Sequence, residues 1–278
     1  MHHLSYELQR AILSHLHPFN VARVARTCKT THEAAMDALY LDLQIDSTAA
    51  LTCLLGTFNR RPFLAYRVRT FRESRPALTF EPPLGRSVRT QLVCALQAMP
   101  RLQELELQLV RDDIWGNNLL CEALARLPLK VLRLGVTPRE AAVDLPGLAS
   151  LLPRLRTLRK LELTSAVTVL SIGCLAESLP ATVAEVTLRQ FDMSQLHEWA
   201  PRDGISSVRL LSCVSVPAKE DLAIVFPSAQ VTVEDAREAG EEPLLKIVSQ
   251  QQADMIWKLA EEVNPMWAAV APDGYIGF

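Results

Sequence analysis

The chain has 278 residues, of which 49% are hydrophobic and 22% are charged, and its formal net charge is −2. This composition is that of an ordinary globular protein, so it excludes wholesale disorder and a fibrous repeat. The balanced charge favours neither nucleic acid nor an anionic membrane as a partner. With only ten glycines and no GxGxxG or GxxxxGK[ST] motif, the sequence predicts no phosphate-binding glycine loop and no cofactor.

The six cysteines occur singly, without a CxxC pair, and they stand mostly among apolar residues. This usage predicts buried thiols in a reducing compartment. No stretch is apolar enough over about 18 residues to predict a membrane span. We therefore expect a cytoplasmic or nuclear protein. The cysteines are Cys28, Cys53, Cys94, Cys121, Cys174 and Cys213.

Residues 1–40 predict three short helices. Ser5 and Asn20 are the expected N-caps of the first two helices, and a capping box at 30–33 is expected to open the third. Helices this short cannot build a sufficient core alone, so they must pack against something else. Two readings follow: a partner-binding module, or a cap that covers the first strand of the remaining chain.

The apolar spacing of this segment, in the runs LSYEL at 4–8 and ILSHL at 12–16 and the exit LYLDL at 39–43, resembles an F-box of the type that fungal proteins join to leucine-rich repeats. The resemblance implies docking on a Skp-type adaptor and, through it, on a cullin complex. The implied adaptor-binding residues would divide between the core of the module and a groove on the adaptor. They are Leu4, Leu8, Ile12, Leu13, Leu16, Val21 and Val24.

After residue 40, strands are predicted at 39–45 and 66–71, and amphipathic helices at 47–59 and 87–99. A capping box with proline at 137–140 predicts a further helix. From residue 60 to residue 111 there are ten arginines against four glutamates. An acidic partner near the first strands is therefore one possibility, and ordinary surface charge that keeps the protein soluble is the other.

A repeating unit dominates the rest of the chain. Six prolines follow apolar stretches at intervals of 21 to 28 residues: Pro100, Pro128, Pro153, Pro180, Pro201 and Pro227. Each precedes two apolar residues with strand spacing: Leu105/Leu107, Leu132/Leu134, Leu161/Leu163, Val186/Leu188, Val208/Leu210 and Val231/Val233. The pattern resembles leucine-rich repeats, which implies an α/β solenoid with parallel strands on its concave side and helices outside. A conventional α/β sheet of βα units is the alternative.

The residues between and beside these apolar pairs should line the face of the strands that points away from the core. They form a ladder of mixed charge, which either pairs with itself or recognises a target protein. The candidate substrate-binding residues are Glu106, Arg133, Lys160, Glu162, Thr187, Arg189 and Arg209.

Three domains are predicted: an F-box-like module at 1–40, a leucine-rich-repeat-like solenoid at 41–240, and a capping helix with an apolar tail at 241–278. No HExxH or GxSxG motif occurs, so neither a metal site nor a catalytic residue is predicted. The predicted function is that of a non-catalytic substrate-recognition subunit of an SCF-type cullin-RING ubiquitin ligase, bound to an unknown protein substrate. The alternative is a leucine-rich-repeat scaffold with a helical N-terminal cap and no link to a ligase.

Overall fold

The computed structural model describes residues 4–27, 29–45, 48–73, 86–111, 118–137, 145–165, 172–175 and 177–234. Within these residues, three helices precede an eight-stranded parallel sheet with helices in its connections. The helices are α1 Tyr6–Ser14, α2 Pro18–Thr27, α3 Lys29–Tyr40, α4 Thr48–Arg60, α5 Pro62–Ala65, α6 Arg86–Gln97, α7 Asn118–Ala125, α8 Pro146–Leu151 and α9 Lys219–Val225. The strands are β1 Asp42–Ile45, β2 Thr70–Glu73, β3 Glu104–Arg111, β4 Val131–Thr137, β5 Lys160–Ser165, β6 Glu185–Arg189, β7 Ser207–Leu211 and β8 Gln230–Glu234.

The first three helices form a small module in which α1 and α2 both contact α3. Its core consists of Leu13, Val21, Ala34 and Ala35, all buried. The predicted cap of α1 is confirmed, because the Oγ of Ser5 accepts a hydrogen bond from the backbone N–H of Leu8 at 3.4 Å.

The other two predicted caps of this module are wrong. Helix α2 begins at Pro18, so Asn20 lies within its first turn. Proline suits this first position because the N–H that it lacks would have no partner inside the helix. Helix α3 begins at Lys29, so the capping box at 30–33 also lies inside a helix rather than before one.

The eight strands lie in the sheet in the same order as in the sequence, and every neighbouring pair is parallel. Alternation of side chains turns the predicted apolar pairs toward one face. Leu105 of β3 pairs in register with Leu132 of β4, which pairs with Leu161 of β5, and all three are fully buried. At the last strand Val231 is only partly buried and Val233 is exposed.

A backbone hydrogen-bond pattern recurs where the chain enters a strand. Two consecutive N–H groups donate to the same carbonyl, which belongs to the residue just before the preceding strand. The N–H groups of Gln103 and Glu104, for example, both donate to the carbonyl of Arg69, at 2.8 and 3.0 Å. The accepting carbonyls belong to Leu41, Arg69, Gln103, Lys130, Arg159 and Ala184. Successive units of the chain are therefore attached to one another in the same way, even though their lengths differ.

Both early strands are shorter than predicted. Helix α3 continues through Tyr40, so the strand predicted at 39–45 begins at Asp42. The strand predicted at 66–71 begins at Thr70, because Pro62 starts the short helix α5 and a turn follows it. The helices predicted at 47–59 and 87–99 are confirmed as α4 and α6, with small shifts of their ends.

The described residues of two later connections contain only one-turn 3-10 helices, where the solenoid prediction expects longer helices outside the sheet. They are Gly173–Leu175 between β5 and β6, and Leu196–Glu198 between β6 and β7. The second of these connections spans residues 190–206, which is little more chain than a parallel crossover needs. A single tight turn therefore replaces a longer helix.

Cys53 and Cys94 are exposed, contrary to the prediction that the cysteines are buried, whereas Cys121 is buried. The helical period explains the difference: α4 buries Leu51 and Leu55, which places Cys53 on its outer side. The helix predicted after Thr137, the capping helix and the apolar tail lie outside the described residues, and the domain boundaries at 40 and 240 stay predictions. In the described parts of the chain, no helix combines the length and apolar character that a membrane span requires.

Candidate partner-binding surfaces

Helix α1 and the residues that flank it expose a row of large apolar side chains, which we call the α1 apolar face: Leu4 before the helix, Leu8 and Ile12 within it, and Leu16 after it. Their exposed fractions are 37%, 54%, 40% and 38%, in the same order. Spacing of four residues places Leu8 and Ile12 on one side of the helix. Since exposed apolar side chains in a contiguous row are typical of interaction sites, this face is a candidate for binding another protein.

Three of the predicted adaptor-binding residues occupy the interior of the module instead. Leu13 and Val21 are buried, and Val24 is partly buried against them. An adaptor could not reach Leu13 or Val21 without opening the module, so their assignment to the adaptor interface is corrected: they hold α1 and α2 on α3. The sequence could not separate the two groups, because both are apolar and both follow helical spacing.

A cluster of polar side chains joins the module to the sheet. Tyr6 of α1 donates a hydrogen bond from its hydroxyl to Asp37 of α3. Arg67, in the turn before β2, forms ion pairs with Asp37 and with Glu33. Sequence analysis missed this cluster, because each of its contacts joins residues that are 30 to 34 positions apart and no local pattern connects them.

These contacts shift the pKa values of the cluster. Partial burial raises the pKa of Asp37, but hydrogen bonds from Tyr6 and Arg67 outweigh this effect and hold the pKa below its usual value. Burial and the hydrogen bond to Asp37 raise the pKa of Tyr6 to about 12. Burial lowers the pKa of Arg67, but its two carboxylate partners raise it by more. The pKa is therefore raised overall, and the guanidinium stays charged.

Next to this cluster lies a cleft of about 400 Å³, bordered by α1, α3, α5 and the turn that follows α6. Phe63 and Tyr66 are its exposed aromatic residues. The guanidinium of Arg101 stacks over the ring of Tyr66, with 4.5 Å between its central carbon and the ring centroid. Arginines and exposed aromatic residues thus lie together at this cleft. The balanced charge of the whole chain, which does not favour nucleic acid as a partner, therefore does not describe the local charge of the cleft.

Ion pairs run across one face of the sheet. Arg133 of β4 lies between Glu162 and Glu104, with N···O distances of 2.9 and 3.4 Å. Lys160 contacts the other oxygen of Glu162 at 2.8 Å. In order across the sheet, this charged ladder consists of Arg72, Glu104, Arg133, Glu162, Lys160 and Glu185. In the free chain the ladder therefore pairs largely with itself, as the first of the two sequence readings requires.

The other predicted substrate-binding residues share this face. Glu106, Thr187 and Arg209 occupy the same register row as Arg133, and Arg189 lies further along β6. Arg209 pairs with Glu234 of β8 at 3.2 Å. The structure thus brings all seven candidates onto one continuous surface, and their role in binding a target stays a prediction.

Within the described residues, no three His, Cys, Asp or Glu side chains are grouped in a way that could hold a metal ion. Apolar, aromatic and charged side chains form the surfaces described above. What these surfaces can supply is affinity for another molecule, through apolar contact on α1 and through charge at the cleft and on the sheet.

Comparison with protein families bears on the three-helix module. The F-box domain model matches residues 1–39. The matched segment is the three-helix module with its α1 apolar face, which we now call the F-box module. No curated protein matches the chain. The F-box indicates a substrate-recognition role in SCF ubiquitin ligases, because F-box domains bind Skp-type adaptors within cullin complexes.

Proposed function

We propose that this chain is the substrate-recognition subunit of an SCF-type cullin-RING ubiquitin ligase. The observation that carries the proposal is the coincidence of the F-box match with a helix that leaves Leu8 and Ile12 exposed. In the proposal these side chains, with Leu4 and Leu16, enter an apolar groove of a Skp-type adaptor. Burying one such side chain contributes about 1.5–3 kcal/mol, so a few of them supply a stable interface.

The interior of the F-box module supports this division of roles. Leu13 packs inside the module while Ile12, its neighbour in sequence, stays exposed. One side of α1 thus maintains the fold, and the other side is available to a partner. The module needs no rearrangement to present this face, so binding would cost little ordering of the backbone.

We further propose that the sheet is a leucine-rich-repeat-like solenoid that holds the protein target. Support comes from the sequential order of the parallel strands and from the recurring pairs of N–H groups that share one carbonyl. Units that cannot bury their own apolar faces are expected to stack in this way. The ion pairs between the F-box module and the turn before β2 would keep adaptor and target in a fixed relation.

In this function the chain performs no chemistry of its own. Its contribution is proximity, because a target held on the same molecule as the adaptor meets the ubiquitin-charged partner at a high effective concentration. No catalytic residue, metal or cofactor is assigned to it. A cytoplasmic or nuclear location belongs to the same proposal.

The test is co-elution of the purified full chain with a recombinant Skp-type adaptor in size-exclusion chromatography. Two variants form a matched pair: Ile12→Asp on the α1 apolar face, and Ile224→Asp on α9, where the isoleucine is 65% exposed. We expect the parent and Ile224→Asp to bind and Ile12→Asp to lose binding, because a carboxylate in an apolar interface is costly. Circular dichroism checks that all three remain folded.

Two outcomes would overturn the proposal. A folded parent that does not bind the adaptor would leave the F-box module as a cap, and the non-ligase scaffold would become the better reading. Adaptor binding that survives in Ile12→Asp as in Ile224→Asp would show that a surface other than the α1 apolar face makes the contact.

A further inference from the structure

The cleft between the F-box module and the sheet has a net positive lining. Four arginines border it, Arg10, Arg67, Arg69 and Arg101, against two carboxylates, Glu33 and Asp37. Both carboxylates pair with Arg67. The other three arginines form no ion pair with any described residue. The charge of Arg10 already acts on Asp37, so the charges available to an anionic ligand are those of Arg69 and Arg101.

The aromatic residues give the cleft a second kind of contact. Phe63 is 63% exposed although it belongs to a short helix whose neighbouring residues, Leu64 and Ala65, are buried. Tyr66 is also exposed, and its ring face supports the guanidinium of Arg101. A guanidinium that lies over an aromatic ring can still donate two parallel hydrogen bonds to one carboxylate.

We propose that this cleft binds an acidic peptide segment of a partner protein. Carboxylates of the peptide would pair with Arg69 and Arg101, and an apolar side chain would pack on Phe63. The charge complementarity and the exposed ring select this ligand together, because neither feature alone requires a peptide. That the partner is the target of a ligase rests on the proposed function, whereas binding of the peptide does not.

A nucleic acid fits the same cleft less well. Glu33 and Asp37 border it, and they would face a continuous row of phosphates if a strand passed through. A peptide, by contrast, can carry carboxylates at the positions that face the arginines and uncharged side chains at the positions that face Glu33 and Asp37. The cleft volume of about 400 Å³ is enough for a few side chains and lies at the small end for ligand pockets.

Binding at the cleft leaves the α1 apolar face accessible. Tyr6 and Arg10 border the cleft, whereas Leu8 and Ile12 belong to the apolar face. Leu8 is two positions after Tyr6, and Ile12 is two positions after Arg10, which corresponds to about 200° around an α-helix in each case. The two surfaces thus lie on nearly opposite sides of α1, so an adaptor and an acidic peptide can bind at the same time.

The experiment measures fluorescence anisotropy of a labelled peptide of glutamates interrupted by phenylalanine, titrated with the full chain. Three further probes are used. One peptide carries lysine in place of glutamate, a second peptide carries phosphoserine in place of glutamate, and the third probe is a single-stranded oligonucleotide. The glutamate and phosphoserine peptides distinguish the two sources of negative charge. The double variant Arg69→Gln/Arg101→Gln removes the free cations, and Arg159→Gln removes an exposed arginine outside the cleft as its matched control.

We expect the acidic peptides to bind the parent and Arg159→Gln equally, and the double variant about tenfold or more weakly, because charge-assisted hydrogen bonds are lost. Phe63→Ala should weaken binding while the salt dependence stays unchanged. The proposal is overturned if the folded parent binds no acidic peptide, if Arg159→Gln weakens binding as much as the double variant, or if the oligonucleotide binds more tightly than every peptide.

Failure of this proposal and failure of the proposed function are distinguishable in the same preparations. The double variant should still co-elute with the adaptor, and Ile12→Asp should still bind the peptide. Loss of adaptor binding with intact peptide binding refutes only the ligase role. Loss of peptide binding in Ile12→Asp would contradict the independence of the two surfaces and with it the location of the site.

Discussion

Asp37 of α3 accepts a hydrogen bond from Tyr6 of α1 and pairs with Arg67 in the turn before β2. One carboxylate therefore connects two helices of the F-box module to the sheet. The side chains of Asp37 and Arg67 are only 21% and 24% exposed. At this burial a charge needs its partners, so this contact helps to hold the module against the sheet.

Replacing Asp37 should weaken this connection. We expect Asp37→Asn to destabilise the chain by about 1–3 kcal/mol, since it removes the charged partner of a half-buried arginine. Urea unfolding provides the measurement. The matched control is Asp221→Asn on α9, where the aspartate is exposed and the change should be within about 0.5 kcal/mol. Equal effects at the two positions would refute a structural role for the Asp37 contacts.

The alkaline limb of the stability profile should depend on Tyr6. Its pKa is raised from 10.0 to about 12 in the folded chain, so the folded state favours the neutral phenol. This contribution is complete below pH 10 and is lost as the pH rises through about 12. We expect the melting temperature of the parent to fall more steeply than that of Tyr6→Phe across this window. Parallel profiles would contradict the hydrogen bond to Asp37.

The acid limb should depend on Asp37 with the opposite sign. Its folded pKa lies below 3.8, so its contribution is present above that value and is lost as the pH falls through the lowered pKa. The difference in melting temperature between the parent and Asp37→Asn should therefore shrink at the acid end. A difference that stays constant down to acid unfolding would exclude this ionisation as its source.

Adjacent residues of α1 should respond differently to truncation. Leu13→Ala should cost about 2–5 kcal/mol of unfolding free energy, because Leu13 is buried in the core of the module and its loss leaves a cavity. Ile12→Ala should cost less than about 1 kcal/mol, since Ile12 is 40% exposed. Amide hydrogen exchange in residues 6–40 is the local readout. Similar protection in both variants would refute the assignment of the two sides of α1.

Arg133 should contribute a salt-sensitive increment of stability. In Arg133→Gln, Glu104 and Glu162 lose the cation between them, and we expect a loss of about 1 kcal/mol at low salt. The loss should become smaller in high salt, where exposed charges are screened. Arg159→Gln, outside the ladder, should show no comparable salt dependence. A salt-independent loss in Arg133→Gln would point to packing of the side chain instead.

Sequence predicted the strands well because their signal is local. Leu132 and Leu134 are two residues apart, and this alternation defines a strand with one buried face wherever the segment lies. Helix starts were predicted less well. Asn20 and the capping box at 30–33 have suitable residue types, yet Pro18 and Lys29 begin the helices earlier, because the packing of α1 and α2 on α3 outweighs a single capping preference.

For the candidate surfaces, too, some features follow from local sequence patterns and others from tertiary packing. The apolar spacing of residues 1–39 determined the F-box module and the row from Leu8 to Leu16, since helical periodicity is written into neighbouring residues. Tertiary structure alone decided that Leu13 turns inward, that Arg133 lies between two glutamates, and that Tyr6, Asp37 and Arg101 meet at one cleft. Contacts between distant segments depend on how helices and strands pack, and no local period encodes that arrangement.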